Sequence, residues 1–202
     1  TYGNTTDDLF SYGSDMANDG NLNFRSGDIF DATQSLYSEI SGTTDGGASI
    51  NLSFVASVNP ALDINSPKFK VLQPSAKDAF EQGFDVLDAY VVDSFDVGNT
   101  FVDITAGRFV TSWGESTFIP VGLNGLVTNA LDLPKLQSPS ASIKEALMPT
   151  EQLSITTGLG DGSTLEAYYQ FSAEQIGLGV SGSYFGSEVF GKGANSLDAS
   201  GT

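Results

Sequence analysis

The chain has 202 residues, with 25 Asp plus Glu against eight Lys plus Arg, a formal charge of −17, and no Cys or His. The acid excess excludes nucleic acid as a partner, because binding it needs a basic surface that neutralises phosphates. Without Cys or His there is no disulfide, zinc–thiolate site, cysteine nucleophile or ordinary Ser-His-Asp machinery, and neither a cofactor nor a metal is expected.

In chain order, residues 1–31 form an acidic, Gly- and Asn-rich region in which Asn18-Asp19-Gly20 is strong turn chemistry. Asp15, Asp19, Asn21 and Asp28 resemble a calcium loop in composition, but they miss its ligand spacing and its twelfth-position Glu, so a solvated loop is expected. A strand is predicted over 33–40, a turn at Asp45-Gly46-Gly47, and a clear strand over 48–58. There Ile50, Leu52, Phe54, Ala56 and Val58 share one face while Ser49, Asn51, Ser53 and Ser57 share the other, the period of two that marks a strand. Residues 59–83, with Pro60, Pro67 and Pro74, read as a long loop.

A strand over 84–95 follows, with Leu87, Ala89 and Val91 on one face. Strict alternation puts Asp88 on the opposite face from Asp85 and Asp93, so no carboxylate dyad is expected. Asp96-Val97-Gly98-Asn99 turns the chain into a strand over 100–111. The alternation breaks over 112–150, an inserted segment in which 140–147 reads as a two-turn helix closed by Pro149. It returns over 152–159 and 163–171, where Leu165, Ala167, Tyr169 and Phe171 oppose Thr164, Glu166, Tyr168 and Gln170. Residues 173–202 read as loop.

The fold class is therefore all-β, with five or six strands in hairpin-like pairs at 33–111 and 151–172. No run of about 18 apolar residues exists, which excludes a transmembrane helix but not a transmembrane barrel, whose strands are short and half apolar. The strand length of about 9–12 residues fits a membrane-spanning strand. It also fits a soluble all-β domain with long strands, and periodicity leaves the two open. No signal peptide precedes Thr1, so either one has been removed or the chain starts internally.

The stretch Gly107-Arg108-Phe109-Val110-Thr111-Ser112-Trp113-Gly114-Glu115-Ser116-Thr117-Phe118-Ile119-Pro120 resembles the signature of a proteobacterial outer-membrane family catalogued as domain of unknown function thirteen-oh-two. Residues 19–28, 87–91, 143–149 and 165–170 are similar to further elements of that family, in the same order. The sequence departs from the family pattern at Phe109, where a Gln is usual, and at Asn129-Ala-Leu-Asp132, where an Asn-Pro-Val-Asp-like element is usual. The resemblance implies an antiparallel transmembrane β-barrel in the bacterial outer membrane. This chain would supply its N-terminal portion, since six strands are too few to close a barrel around side chains.

The resemblance further implies a porin-like protein, not an enzyme, that passes or handles a small molecule, hydrophobic or lipid-like cargo included. Its partners would be outer-membrane lipid and envelope transporter components. Two alternatives stay open: a structural or adhesive barrel without transport, and a soluble acidic β-sandwich in which the Leu165, Ala167, Tyr169 and Phe171 face packs on a second sheet.

Several residues stand out. Arg108 is expected to face the lumen and pair with Asp103, Glu115 or another carboxylate, either as a constriction charge or, preferably, as a structural ion pair. Trp113 and Gly114 would anchor the inserted segment where it leaves the wall to lie against the inner face or cap one mouth. Tyr90, Phe95, Phe101, Tyr169 and Phe171 are candidates for an aromatic belt, with a sandwich core as the plain alternative. Adjacent Tyr168 and Tyr169 must face opposite sides. Lys144 and Glu145 read as surface charges unless their helix plugs the pore.

Overall fold

The computed structural model describes residues 23–68, 71–113, 127–138, 141–186 and 191–194. Among them, all six predicted strands are present. They are β1 (Gln34–Thr43), β2 (Ser49–Val58), β3 (Gln82–Val97), β4 (Thr100–Phe109), β7 (Thr150–Gly158) and β8 (Thr164–Gln170). They form one antiparallel sheet in the order β1-β2-β3-β4-β7-β8, open at both edges. A two-stranded sheet pairs β5 (Ala130–Leu131) with β6 (Leu147–Met148). Among the described residues no helix is long and apolar enough to cross a membrane.

Among the described residues there are four short helices: α1 (Ala61–Ile64), α2 (Pro74–Glu81), α3 (Leu133–Gln137) and α4 (Ile143–Ala146). The long loop expected over 59–83 is thus partly helical. Pro74 takes the first position of α2, where its missing N–H costs nothing, and Ala76 and Phe80 turn one side into an apolar cluster. The two-turn helix expected over 140–147 shrinks to the single turn α4, because Leu147 is buried as part of β6.

The sheet buries part of its polar face. Antiparallel partners share a side, so the register assigns every residue to one. One side carries Leu36, Ile40, Ile50, Leu52, Phe84, Val91, Phe95, Ile155, Leu165 and Tyr169, and it is exposed: Leu36 is 68% exposed, Phe84 66% and Tyr169 67%. The other side carries Ser53, Asp88, Thr150, Gln152 and Ser154, buried together with Val55 and Phe109, while Tyr37, Glu39, Ser41, Ser49, Asp85 and Asp96 on the same side are exposed. Nothing among the described residues packs a second sheet on the Leu165, Tyr169 and Phe171 side, where a sandwich would have one.

A β-bulge interrupts β3. Ser53 pairs with Asp88 but Phe54 pairs with Val86, leaving Leu87 as the extra residue. The bulge changes the phase of the strand. Asp85 opposite Val55 and Asp88 opposite Ser53 therefore share the polar side, while Asp93 opposite Ile104 lies on the apolar one. This corrects the strict alternation, which separated Asp85 from Asp88 and grouped Leu87 with Ala89 and Val91.

β2 pairs with residues 82–92 of β3, and β4 with residues 89–97. This stagger across one 16-residue strand is what tilted strands produce. The short connections 44–48, 98–99 and 159–163 all lie at one end of the sheet; the long connections 59–81 and 110–149 lie at the other. At the long-connection end Phe24, Leu62, Leu72 and Ala76 form a small apolar core with Phe30, Phe80 and Val180 packed on it.

Gly107 sits where β4 crosses the bulged strand, with φ +136°, and a Cβ there would meet the Ala89 carbonyl oxygen at 2.3 Å. Gly98, at φ +66° in the tight β3–β4 turn, has open space around it. Gly107→Ala is therefore expected to destabilise the protein by about 3 kcal/mol, strain plus clash, and Gly98→Ala by about 1 kcal/mol, strain alone. Thermal unfolding of the two variants side by side checks the difference.

Candidate functional site

The polar side of the sheet is partly covered by the segment that connects β4 to β7. Its root is fixed by uncharged hydrogen bonds. Thr111 N donates to Asn129 Oδ1 at 3.1 Å, and Asn129 Nδ2 donates back to Thr111 O at 2.7 Å. Thr111 Oγ1 donates to Gln152 Oε1 at 2.8 Å, and Gln152 Nε2 donates to Phe109 O at 2.7 Å. Gln170 Nε2 reaches Thr128 O at 2.6 Å and Thr150 Oγ1 at 3.0 Å. Gln152 is fully buried, and Thr128, Asn129, Thr111 and Thr150 nearly so. A buried amide is tolerated only when its donors and acceptors are satisfied, and here both ends of Gln152 are.

The tip of the segment is held by charge. Asp132 caps α3, its side chain accepting from Lys135 N, with Pro134 in the first turn. Lys135 Nζ then bonds Asp85 Oδ2 at 2.7 Å. From α4, Lys144 Nζ bonds Asp88 Oδ2 at 2.9 Å and Tyr37 OH at 2.9 Å, and lies 3.8 Å from Glu39 Oε2. Its ammonium is 5.2 Å from the centre of the Tyr37 ring, within cation–π range. Asp88 also accepts from Ser53 Oγ at 2.7 Å, and Glu39 from Asn51 Nδ2 at 3.2 Å and from Tyr37 OH. Beside this cluster an open cleft of about 400 Å³ is lined by Ser41, Thr43, Ser49, Asn51, Tyr90 and Val92.

For Lys144, partial burial opposes the charge, but the hydrogen bonds to Tyr37 and Asp88 outweigh it and hold the pKa above the ordinary lysine value. Lys135 is raised in the same way, burial being overcome by Asp85 and Asp132. At the long-connection end the Asp28 carboxyl is held down by hydrogen bonds from the Lys68 side chain and the Arg25 backbone.

Arg108 does not pair with Asp103. The register sets Arg108 opposite Ala89 and Glu151 on the apolar side, while Asp103 lies opposite Ser94 and Thr156 on the polar side. The two differ by an odd number of residues on one strand, so they diverge. Arg108 Nη1 bonds Glu151 Oε1 at 3.0 Å and Glu174 Oε1 at 3.1 Å. Its Nε donates to the Val86 carbonyl at 3.2 Å, just beyond the last β3–β4 pair at the bulge. Arg108 is thus a structural clamp at the end of its strand, where it satisfies a backbone acceptor as well as two carboxylates.

The aromatic candidates divide. Phe95, Tyr169 and Phe171 are exposed on the apolar side, with Tyr169 and Phe171 in edge contact at 5.4 Å. Tyr90 and Phe101 lie on the polar side by register, opposite Gly107 and Asp96. Tyr168 faces the polar side too, where the Trp113 ring meets it edge-on at 4.9 Å, so Trp113 packs inward rather than on the apolar face. Gly114, Glu115, Asp15, Asp19 and Asn21 lie outside the described residues. Among the described residues, no group of three His, Cys, Asp or Glu side chains is placed to hold a metal ion.

Sequence reasoning missed Lys135, Gln152 and Asn129. Asp132 followed by Leu-Pro-Lys is a capping signal that would have placed Lys135 on a helix. Nothing local marks Gln152, whose partners Phe109 and Thr111 are 43 and 41 residues away.

A raised lysine pKa stabilises the fold below the unfolded value of 10.5, and the contribution is lost as pH rises through the higher folded value. The stability difference between the parent and Lys144→Met is therefore expected to stay constant from about pH 7 to about pH 10 and to shrink above that. Denaturant titrations across that range read it out. A difference that fades below pH 10 would remove the clamp.

No curated protein and no solved structure matches the chain. A family model described as Protein of unknown function (DUF1302) matches residues 1–202, and the chain belongs to that family.

Proposed function

We propose that this chain forms part of the wall of a porin-like β-barrel in the bacterial outer membrane, through which a small polar solute passes. One observation carries the reading: the sheet exposes its apolar side and covers part of its polar one. In water this arrangement loses the hydrophobic gain on the larger face, whereas in a bilayer that face meets hydrocarbon and the polar side lines a lumen. The stagger between β2 and β4 supports tilted strands, and Phe95, Tyr169 and Phe171 suit belt positions. Of the three charges on the apolar side, Arg108 and Glu151 stand at strand ends and neutralise each other, while Asp93, opposite Ile104, is a charge that lipid would have to accommodate.

The inner wall offers hydroxyls, amides and carboxylates from Ser41, Ser49, Asn51, Glu39 and Asp88. That lining favours neutral or cationic solutes over anions. The open edges of β1 and β8 carry unpaired backbone groups that hydrocarbon would not satisfy, so a barrel reading requires further strands to pair with them. Outer-membrane barrels carry short turns on the periplasmic side and longer loops outside. The 98–99 turn end is accordingly assigned to the periplasm and the α1–α2 end to the exterior.

Two experiments test this. The protein from an outer-membrane fraction is expected to change gel mobility on boiling, and Leu52→Arg to cost about 2–4 kcal/mol in lipid because it sets a charge against hydrocarbon. Recovery from the soluble fraction without a mobility shift, with Leu52→Arg neutral, overturns the reading. For orientation, a peptide tag inserted after Ser66 should bind antibody on intact cells, and one after Gly46 only after the outer membrane is permeabilised.

A further inference from the structure

The segment covering the polar side is held by buried hydrogen bonds and the buried apolar side chains Leu131, Ala146 and Leu147 near its root, and by ion pairs at its tip. Its root, Thr128, Asn129 and the β5–β6 pair, is fixed by buried uncharged hydrogen bonds and by backbone bonds such as Asp132 N to Ala146 O at 2.8 Å. Salt does not screen these. Its tip, helices α3 and α4 packed on each other, reaches the wall through Lys135 to Asp85 and Lys144 to Asp88 and Glu39. Those lysine side chains are 30% and 46% exposed, so both pairs are weak and open to screening. One further side-chain bond, Ser138 Oγ to Asp31 Oδ2 at 2.7 Å, ties the end of α3 to the segment ahead of β1.

The wall residues that receive the lysines are gathered by the bulge, which brings Asp85 and Asp88 to one side. With Glu39 they make an acidic strip on a face that also carries Asp96, Asp103 and Glu166. The lysines neutralise that strip while the helices are docked, and undocking leaves it free for other cations.

We propose that α3 and α4 form an autoinhibitory flap, hinged at β5–β6 and latched by Lys135 and Lys144 onto the acidic strip of the inner wall, and that cations in solution release it. This rests on the barrel reading above, since only a lumen gives the flap something to close. Release at high ionic strength, or by a cationic solute, would then uncover a cation-attracting path, whereas anions would leave the latch in place.

The chain has no Cys, so one engineered thiol reports cleanly. Ser53, fully buried beside the Asp88–Lys144 pair, is the position of choice. Ser53→Cys is made in the full-length outer-membrane protein, in detergent, and the rate of maleimide labelling is measured. If that variant does not give a heat-modifiable band, Asn51→Cys replaces it. Labelling is expected to be slow at low salt, and to rise about tenfold or more in about 1 M NaCl or on adding Lys135→Met and Lys144→Met at low salt. Loss of a neighbouring ammonium alone would raise the thiol pKa and slow the reaction, so faster labelling reports exposure. Equally slow labelling in salt and in the double variant overturns the flap. Bilayer conductance of the same preparations separates the two readings: faster labelling with higher conductance supports both, and faster labelling without any conductance keeps the latch but sinks the pore.

Discussion

A buried polar group left without a partner costs about 1–3 kcal/mol, and this sheet buries part of its polar side. The arrangement of that buried part follows from the obligation. Gln152 sits fully enclosed because Thr111 and Phe109 answer its amide. Asp88 is nearly enclosed because Ser53 and Lys144 answer its carboxylate. An ordinary half-buried sheet places Val and Leu at these positions and needs no such partners. Here the covering segment is docked by hydrogen bonds and ion pairs beside a few buried apolar side chains, Leu131, Ala146 and Leu147, and a separate apolar cluster stands at the long-connection end around Phe24, Leu62 and Leu72.

That division of labour gives the molecule two different kinds of cohesion. The small apolar core ties the connections 23–33 and 59–81 to residues 180–182, where Asn23 Nδ2 donates to Gly182 O at 2.8 Å. The sheet itself is held mainly by its backbone ladders, with side chains on the exposed face contributing little to one another across open solvent. A hydrocarbon environment would change this balance, since the exposed Leu, Ile and Phe side chains would then lie in a solvent of their own kind.

The alternation of Ile50, Leu52 and Phe54 against Ser49, Asn51 and Ser53 made the strands legible, and all six stand where the period of two put them. What the alternation could not reveal was which side is covered, because a sandwich core and a membrane-facing wall share one pattern. The family signature around Gly107 pointed to the second. Its glycine now has a physical reason in the 2.3 Å approach of the Ala89 carbonyl. The bulge was invisible because Leu87-Asp88-Ala89 reads as regular alternation. The partners of Arg108 were invisible because Glu151 and Glu174 are 43 and 66 residues away. The helices α2 and α3 were legible and overlooked, through Pro74 and through the Asp132 cap.

Pairing with a period of two gives a strand something like parity, and Leu87 is the residue that sets it for the first half of β3. Were the bulge straightened with Leu87 drawn into the ladder, Phe84 and Val86 would turn toward the polar side and Asp85 toward the apolar one, although no side chain had changed. Deleting Leu87 has the opposite effect: Val86 then follows Asp88 as Phe54 follows Ser53, and every side chain keeps its face. A relative one residue shorter here would hold both carboxylates on one side, whereas one of the same length without the bulge would part them.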